Sequence, residues 1–367
     1  MTELAPIRDK ILNHRRIDAD EALLLLDRTD LLDLACLAHE VRQRLHPEPV
    51  VTFVVDRNIN YTNGCICGCK FCAYFRPPEH PDADVITKEA LCHKIRETLA
   101  LGGTQILLQG GLNPFLGLDY YLDLLNFIKS NFDIHIHGFS PPEIAFIAEN
   151  SGLSLEETLR SLIKAGLDTI PGGGAEILAD DIRQRISPNK CTADMWLNVM
   201  EQAHRLGVKT TATMMFGHVE TPEHIILHLM KIRDLQDRTR GFTAFIPWTF
   251  QPGNTNLSVV PATSVHYLRV LAVSRLVLDN VPNIQASWVT QGEKIAQLSL
   301  AFGANDLGST MIEENVVAAA GVDFKLSLAD MVRMIAGAGY RAIQRDCYYH
   351  FLSEHLAEQK MAGKDDR

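Results

Sequence analysis

Positive charge is scarce in this chain of 367 residues: 35 lysines and arginines against 45 acids leave a formal net charge of −10. Binding to nucleic acid or an anionic membrane is driven by clustered cations that release counterions, so neither partner is expected and a small-molecule substrate is. A long apolar run is lacking too. The longest uncharged stretch, Phe242 to Val265, is interrupted by Pro247, Pro252, Gly253 and Pro261 and does not read as a membrane helix. The N-terminus has acids early and no apolar core of signal-peptide length, which predicts a cytoplasmic protein. Nor is there a disulfide framework. Of eight cysteines, Cys65, Cys67, Cys69 and Cys72 fall within one stretch of eight residues, whereas Cys36, Cys92, Cys191 and Cys347 are scattered. Where thiols stay reduced, a tight cluster binds metal and the singles read as small buried hydrophobes.

What is present is an ordinary globular composition, 46% hydrophobic and 22% charged, with length enough for a large core. Apolar residues at helical spacing predict a helical N-terminal extension over residues 1–48. From Val50 the pattern becomes short β-rich runs alternating with amphipathic helices, the mark of repeated βα units on a parallel sheet. The runs are 50–55, 105–109, 134–139, 167–170, 210–215 and 244–250. Ser154 with Glu157 forms a capping box, Gly166 stands at a helix end, Thr192 caps another helix, and Thr221-Pro222 starts a third. No dinucleotide glycine fingerprint follows the first run, so the α/β chain is read as a partial or complete TIM-like βα barrel over 49–310. Residues 311–367 are expected to be a helical C-terminal segment packed on it. Barrel chemistry sits on loops after the strands' C-terminal ends.

Just past the first run lies Asn58-Ile-Asn-Tyr-Thr-Asn-Gly-Cys65-Ile-Cys67-Gly-Cys69-Lys-Phe-Cys72-Ala-Tyr74. Its C-x3-C-x2-C spacing supplies Cys65, Cys69 and Cys72 to three corners of a [4Fe-4S] cluster, with Cys67 a bystander. The fourth iron, left without a protein ligand, can chelate S-adenosylmethionine (SAM). A zinc site is the rival, but a closed one needs a second ligand pair at a distance, and the chain has none.

The cysteine loop resembles the radical SAM superfamily. Further runs, Leu108-Gln-Gly-Gly-Leu-Asn-Pro114, His137-Gly-Phe-Ser-Pro141, Pro171-Gly-Gly-Gly-Ala-Glu-Ile177, Thr211-Ala-Thr-Met-Met-Phe-Gly-His-Val-Glu-Thr221 and Phe245-Ile-Pro-Trp-Thr-Phe-Gln-Pro-Gly-Asn-Thr255, are similar to the futalosine-pathway enzymes of menaquinone biosynthesis. The resemblance implies a radical SAM barrel with the cluster at its mouth, SAM consumed as oxidant, and an electron donor such as a flavodoxin or ferredoxin. It also implies dehypoxanthine futalosine as substrate: hydrogen leaves C4′ of the sugar ring, and the carbon radical attacks the benzoate to form a spiro bicycle. The stretch around Trp248 and Gln251 favours this cyclase over its sibling, aminofutalosine synthase, and over the related deazaflavin (FO) synthase subunits. A zinc-stabilised binding protein is the rival of another class.

On that frame Gly110 and Gly111 are expected to let the backbone approach SAM's methionine part, with Leu112 where the wider superfamily often has an acid. Tyr74, Ser140 and Glu176 are further cofactor contacts. One of Arg183, Arg185 and Lys190, with Arg183 preferred, is expected to pair with a carboxylate. His218 and Glu220, after the fifth run, are candidates for the base that takes the final proton. Trp248, Gln251 and Asn254 offer an aromatic face and amides to the substrate.

Overall fold

The structure, a computed structural model, describes residues 4–357 except Asp323. Three helices, Leu4–Leu12, Ala19–Arg28 and Leu31–Leu45, lead the chain, the second and third capped by the side chains of Asp18 and Asp30. Buried Arg42 fastens them to the next layer by donating to the carbonyls of Val50 (2.9 Å) and Ala304 (3.1 Å).

Ten strands follow: β1 (Val50–Val54), β2 (Asp56–Asn60), β3 (Gln105–Gln109), β4 (His135–Gly138), β5 (Thr210–Phe216), β6 (Phe242–Thr249), β7 (Asn283–Ile284), β8 (Asp306–Ser309), β9 (Arg341–Arg345) and β10 (Phe351–His355). Parallel pairing runs β2-β3-β4 and β5-β6-β7, and β8 pairs with β1, which continues through Val55 into β2. Isolated parallel bridges His137–Thr169, Ile170–Thr210 and Gln285–Asp306 close the remaining gaps. The circuit is therefore complete, with eight positions around a barrel. The run at 167–170 contributes bridges rather than a strand, since Thr169 pairs to one side and Ile170 to the other.

Helices between the strands end where their capping residues predict. Ser154 and Glu157 form the capping box of helix Leu155–Ala165, which stops at Gly166 with φ +119°. Thr192 caps Ala193–Arg205, and Thr221 precedes Pro222–Thr239.

The C-terminal expectation needs correction. Residues 311–357 hold helices Val316–Ala319 and Leu328–Gly337 but also β9 and β10, while 358–367 lie outside the described residues. Strand β9 pairs in parallel with β1, on the edge opposite β8, and β10 returns antiparallel along β9. Buried Arg345 at the end of β9 makes two hydrogen bonds (2.6 and 2.9 Å) to Asp306 on β8. A strand with a charged residue at each end, Arg-Ala-Ile-Gln-Arg, has no apolar alternation to reveal it; the ion pair with Asp306 lets Arg345 be buried.

Alternation along the strands sets what the barrel encloses. On β3, Ile106 and Leu108 are fully buried among the helices, while Gln105, Leu107 and Gln109 line the barrel. On β2, Ile59 packs outward and Asp56 and Asn58 line the interior. Asp56, Asn58, Gln105 and Gln109 thus point inward, whereas Arg57 turns out to Glu97. Ordinary barrels fill this space with branched apolar side chains; this one keeps a cavity.

Candidate active site

Two cavities adjoin at the C-terminal end of the barrel. An inner one of about 280 Å³ runs down the barrel between Asn58, Gln105, His137 and Thr213 on one side and Ile246, Trp248 and Trp288 on the other. An outer one of about 240 Å³ lies under the cysteine loop and takes in Cys65, Cys67, Cys69, Cys72, Tyr74, Gly110, Gly111, Ser140 and Glu176. Gln109, Trp248 and Val316 line both.

The cysteine loop leaves β2 through Tyr61, fully buried among Tyr121 and Phe139 in edge contacts. Cys65 Sγ accepts the N–H groups of Leu112 (3.2 Å) and Cys67 (3.4 Å). The Cys67 thiol hydrogen-bonds to Cys65 and Cys69, which pulls Cys65 down to about 6, lowers Cys69 and raises Cys67 itself. Burial raises Cys72. Cys67 has one S–H hydrogen to share among these neighbours. It also sits against Asn189, its Sγ 3.7 Å from that carbonyl, while Asn189 Nδ2 donates to the Cys67 carbonyl at 3.3 Å.

Gly110 and Gly111 follow β3. A Cβ on Gly110 would lie 2.5 Å from the Tyr61 ring, and one on Gly111 would lie 2.2 Å from the Gly64 carbonyl oxygen and 2.7 Å from Cys65 Cβ. The glycines are thus required by the cysteine loop packed on them, and both also line the outer cavity. Glu143, which the sequence reading passed over, ties this region together. Its Oε1 accepts Tyr61 O–H (2.7 Å) and Gly110 N–H (2.9 Å), and its Oε2 accepts the N–H (2.7 Å) and O–H (2.5 Å) of Ser140. The ends of β2, β3 and β4 meet on one buried carboxylate. The Ser140 hydroxyl hydrogen is therefore occupied, and Ser140 acts as the N-cap of helix Pro141–Ser151 rather than as a free donor.

Glu176 occupies the turn after the bridge strand with φ +40°, a left-handed conformation uncommon outside glycine. Its Oε1 takes Lys190 Nζ at 3.0 Å, whereas Oε2 is buried with no hydrogen-bond partner, Arg183 Nη1 standing 3.8 Å away. An unsatisfied buried carboxylate oxygen facing a cavity is a place for a ligand's donor. Lys190, buried and 5.1 Å over the Phe71 ring, is held charged by Cys69 and Glu176 against the pull of burial. Arg183 is a correction: its guanidinium donates to the carbonyls of Gly174 (3.1 Å), Ala175 (2.6 Å) and Cys191 (2.5 Å) and lines neither cavity. It braces the glycine turn, and Lys190 is the cation that reaches the site.

His218 and Glu220 are corrected as well. Glu220 accepts the N–H groups of Gly217 (2.5 Å) and His218 (2.9 Å), and His218 Nε2 meets the Met215 carbonyl at 3.1 Å. Burial would raise Glu220, but His218 and the two amides outweigh it and hold the carboxyl near 2. Both residues close the turn after β5 on itself, and neither lines a cavity. Gln251 Nε2 folds back on Thr249 (3.0 and 3.1 Å), and Asn254, with φ +55°, donates to the Ala319 carbonyl (3.0 Å). They staple the loop after β6; only Trp248 of that trio reaches the interior. Cys36 is exposed rather than buried.

Residues 59–232 match the radical SAM superfamily, and residues 239–358 match the family described as the CofH/MqnC C-terminal region. The cyclic dehypoxanthine futalosine synthase of Halalkalibacterium halodurans is 45% identical over 98% of this chain and 97% of its own length. The chain belongs to the radical SAM superfamily. The Streptomyces coelicolor protein of the same name is 42% identical over 96% of this chain and 90% of its own. Also 42% identical, over 91% of this chain and 93% of its own, is the 5-amino-6-(D-ribitylamino)uracil–L-tyrosine 4-hydroxyphenyl transferase of Methanopyrus kandleri. The fold is that of methylornithine synthase, with a TM-score of 0.71 at 19% identity, covering 91% of this chain and 96% of that one.

Membership of the radical SAM superfamily implies a [4Fe-4S] cluster and SAM, and the outer cavity fits them by its own chemistry. Four thiols share it, two with lowered pKa, and one buried carboxylate oxygen lacks a partner. The residues the sequence reading missed here are Glu143, Lys190's place in the cavity, Gln109 and His137. Polar residues on one face of β-rich runs, Asp56, Asn58 and Asn60 spaced by two and Gln105 and Gln109 spaced by four, were the available signal.

Proposed function

We propose that the chain is a radical SAM cyclase of menaquinone biosynthesis that converts dehypoxanthine futalosine to its cyclic product. The observation that carries this reading is the 45% identity over nearly the whole chain to a synthase of that name, together with an inner cavity that adjoins the thiol-lined one. Cys65, Cys69 and Cys72 would hold the cluster, and Cys67, whose Sγ sits 3.7 Å from the Asn189 carbonyl, would not. When bound, the cluster and SAM supply a 5′-deoxyadenosyl radical that takes hydrogen from the substrate's sugar.

The chain's own side chains do the rest. Glu143 fixes the glycine turn under the cysteine loop, and Glu176 offers its free oxygen to the hydroxyls or ammonium of SAM. Trp248 stands between the cavities, and the barrel wall keeps bulk water from the substrate radical. The electron enters from a flavodoxin- or ferredoxin-like donor. Among the described residues no helix is long and apolar enough to cross a membrane.

A second reading has a specific observation behind it, since the 4-hydroxyphenyl transferase of M. kandleri is nearly as similar. One anaerobic assay separates the two. Purified, reconstituted protein is given SAM and reductant with either dehypoxanthine futalosine or the pair 5-amino-6-(D-ribitylamino)uracil and L-tyrosine. A cyclised product of the first supports the cyclase; turnover of only the second substrate pair refutes it.

A further inference from the structure

The inner cavity has two unlike walls. One is built from adjacent strands β2, β3 and β4 and presents Asn58, Gln105, Gln109 and His137; the other, from β6 and the segment after β7, presents Ile246, Trp248, Trp288 and Val289. Strand pairing explains the first grouping: Asn58 pairs with Leu107, which pairs with His137, and Gln105 and Gln109 flank that level on β3.

The polar wall is short of donors. Asn58 Nδ2 donates to Glu314 (2.9 Å) and Gln105 Nε2 to Asp56 (2.7 Å), which fixes both amides and leaves Asn58 Oδ1 and Gln105 Oε1 buried without a partner. His137 Nδ1 lies 2.7 Å from Thr169 Oγ1, a hydroxyl that also meets His135 Nε2 at 2.7 Å and Cys347 Sγ at 3.5 Å. His137 Nε2 has no partner among the described residues, and a neutral ring can meet a hydroxyl there as donor or acceptor. Burial keeps this imidazole neutral, its pKa down to about 3. The Gln109 amide also has no partner among the described residues, and it borders the outer cavity. Orphan buried acceptors are unfavourable until a donor reaches them. A sugar's hydroxyls are neutral donors. An anion would find the nearest inner-cavity cation, Arg345, already paired with Asp306.

We propose that the β2–β4 wall is a polyol subsite that takes the substrate's sugar hydroxyls through His137, Gln109, Asn58 and Gln105, while the substrate's arene lies against Ile246 and Trp248. This rests on the cyclase reading and adds an orientation to it. The sugar then lies beside Gln109, where the two cavities meet, so the carbon that loses hydrogen borders the cofactor, and the benzoate turns away from a wall of acceptors.

The test is equilibrium binding, by calorimetry without reductant, to reconstituted wild-type protein and to the variants His137→Phe and Gln109→Leu. Analogues of dehypoxanthine futalosine that lack single ring hydroxyls should bind the wild type roughly tenfold more weakly per hydroxyl lost, by the worth of one hydrogen bond. In His137→Phe the penalty for one of those hydroxyls should vanish, with SAM affinity and thermal midpoint near those of wild type. Equal affinity of parent and all deoxy analogues for wild type, or penalties that persist unchanged in both variants, would overturn the subsite. If wild type neither binds nor converts dehypoxanthine futalosine, the cyclase reading is what fails. The subsite is then read from 5-amino-6-(D-ribitylamino)uracil, whose ribityl chain should lose affinity in His137→Phe; unchanged affinity overturns the subsite too.

Discussion

Replacing Gly111 by alanine isolates the contact between the turn after β3 and the cysteine loop. The added Cβ would stand 2.2 Å from the Gly64 carbonyl oxygen, 2.8 Å from its carbon and 2.7 Å from Cys65 Cβ. These are backbone atoms and a side-chain root, with no flexible end that could swing aside, so one of the two segments must move. Gly111 N–H also donates to the Thr62 carbonyl at 3.0 Å, which pins it against the start of that loop. Overpacking of this kind costs about 1–3 kcal/mol. Charged to the seating of the loop alone, that is a shift of roughly 5- to 150-fold in its equilibrium. We expect Gly111→Ala to hold less than half the wild-type iron and sulfide per chain after anaerobic reconstitution, with SAM affinity falling in step. Gly117→Ala, where nothing lies within 4 Å of the new Cβ, is the control and should load normally. Full iron in Gly111→Ala with weakened SAM binding alone would refute this argument and restore a role confined to cofactor space.

Other expectations follow from the same geometry. Cys67→Ala should retain iron, and Cys69→Ala should lose it; equal loss in both, by metal analysis that also reports zinc, would place Cys67 among the ligands. Glu220→Gln should cost on the order of 3 kcal/mol at neutral pH, since the carboxyl is held near 2 against an ordinary value of 4.5. A depressed acid stabilises the fold above its unfolded pKa and loses that contribution as pH falls from about 4.5 to about 2, so chemical denaturation of wild type and variant should converge toward pH 2. His218→Ala should leave the ratio of product to 5′-deoxyadenosine unchanged, because His218 lines neither cavity; a falling ratio would return it to the chemistry. Lys190→Met should leave Glu176 buried without its cation and weaken SAM binding about tenfold or more, read by equilibrium titration.

Local chemistry was legible wherever neighbouring residues act together. The cysteine spacing, the capping box at Ser154 and Glu157, the αL turn at Gly166 and the first five or six βα units all depend on a few consecutive residues. Trp248 could be placed because it lies at the C-terminal end of the sixth run, where a barrel opens. What failed turned on hydrogen bonds that form only once a turn has folded. His218 and Glu220 sit after a strand, as active groups often do, yet their hydrogen-bond partners are one to three residues away, so the turn satisfies itself. Arg183 looked like a carboxylate ligand, but the Gly174 and Cys191 carbonyls it braces converge on it only in the folded turn.

The amino-acid sequence by itself determined the superfamily and the barrel, because the C-x3-C-x2-C spacing and the 2.0 and 3.6 periodicities are set along the chain. It also contained, without declaring it, the polar interior, since Asp56, Asn58, Gln105 and Gln109 sit on alternate positions of β2 and β3. Only the tertiary structure decided which side chains the cavities receive. Glu143 joins Tyr61, Gly110 and Ser140 from three strand ends, and β9 becomes a strand because Arg345 finds Asp306. The physical reason is one of distance: a buried polar group is stable only with its partners, and those partners lie tens of residues away, where no local pattern can announce them.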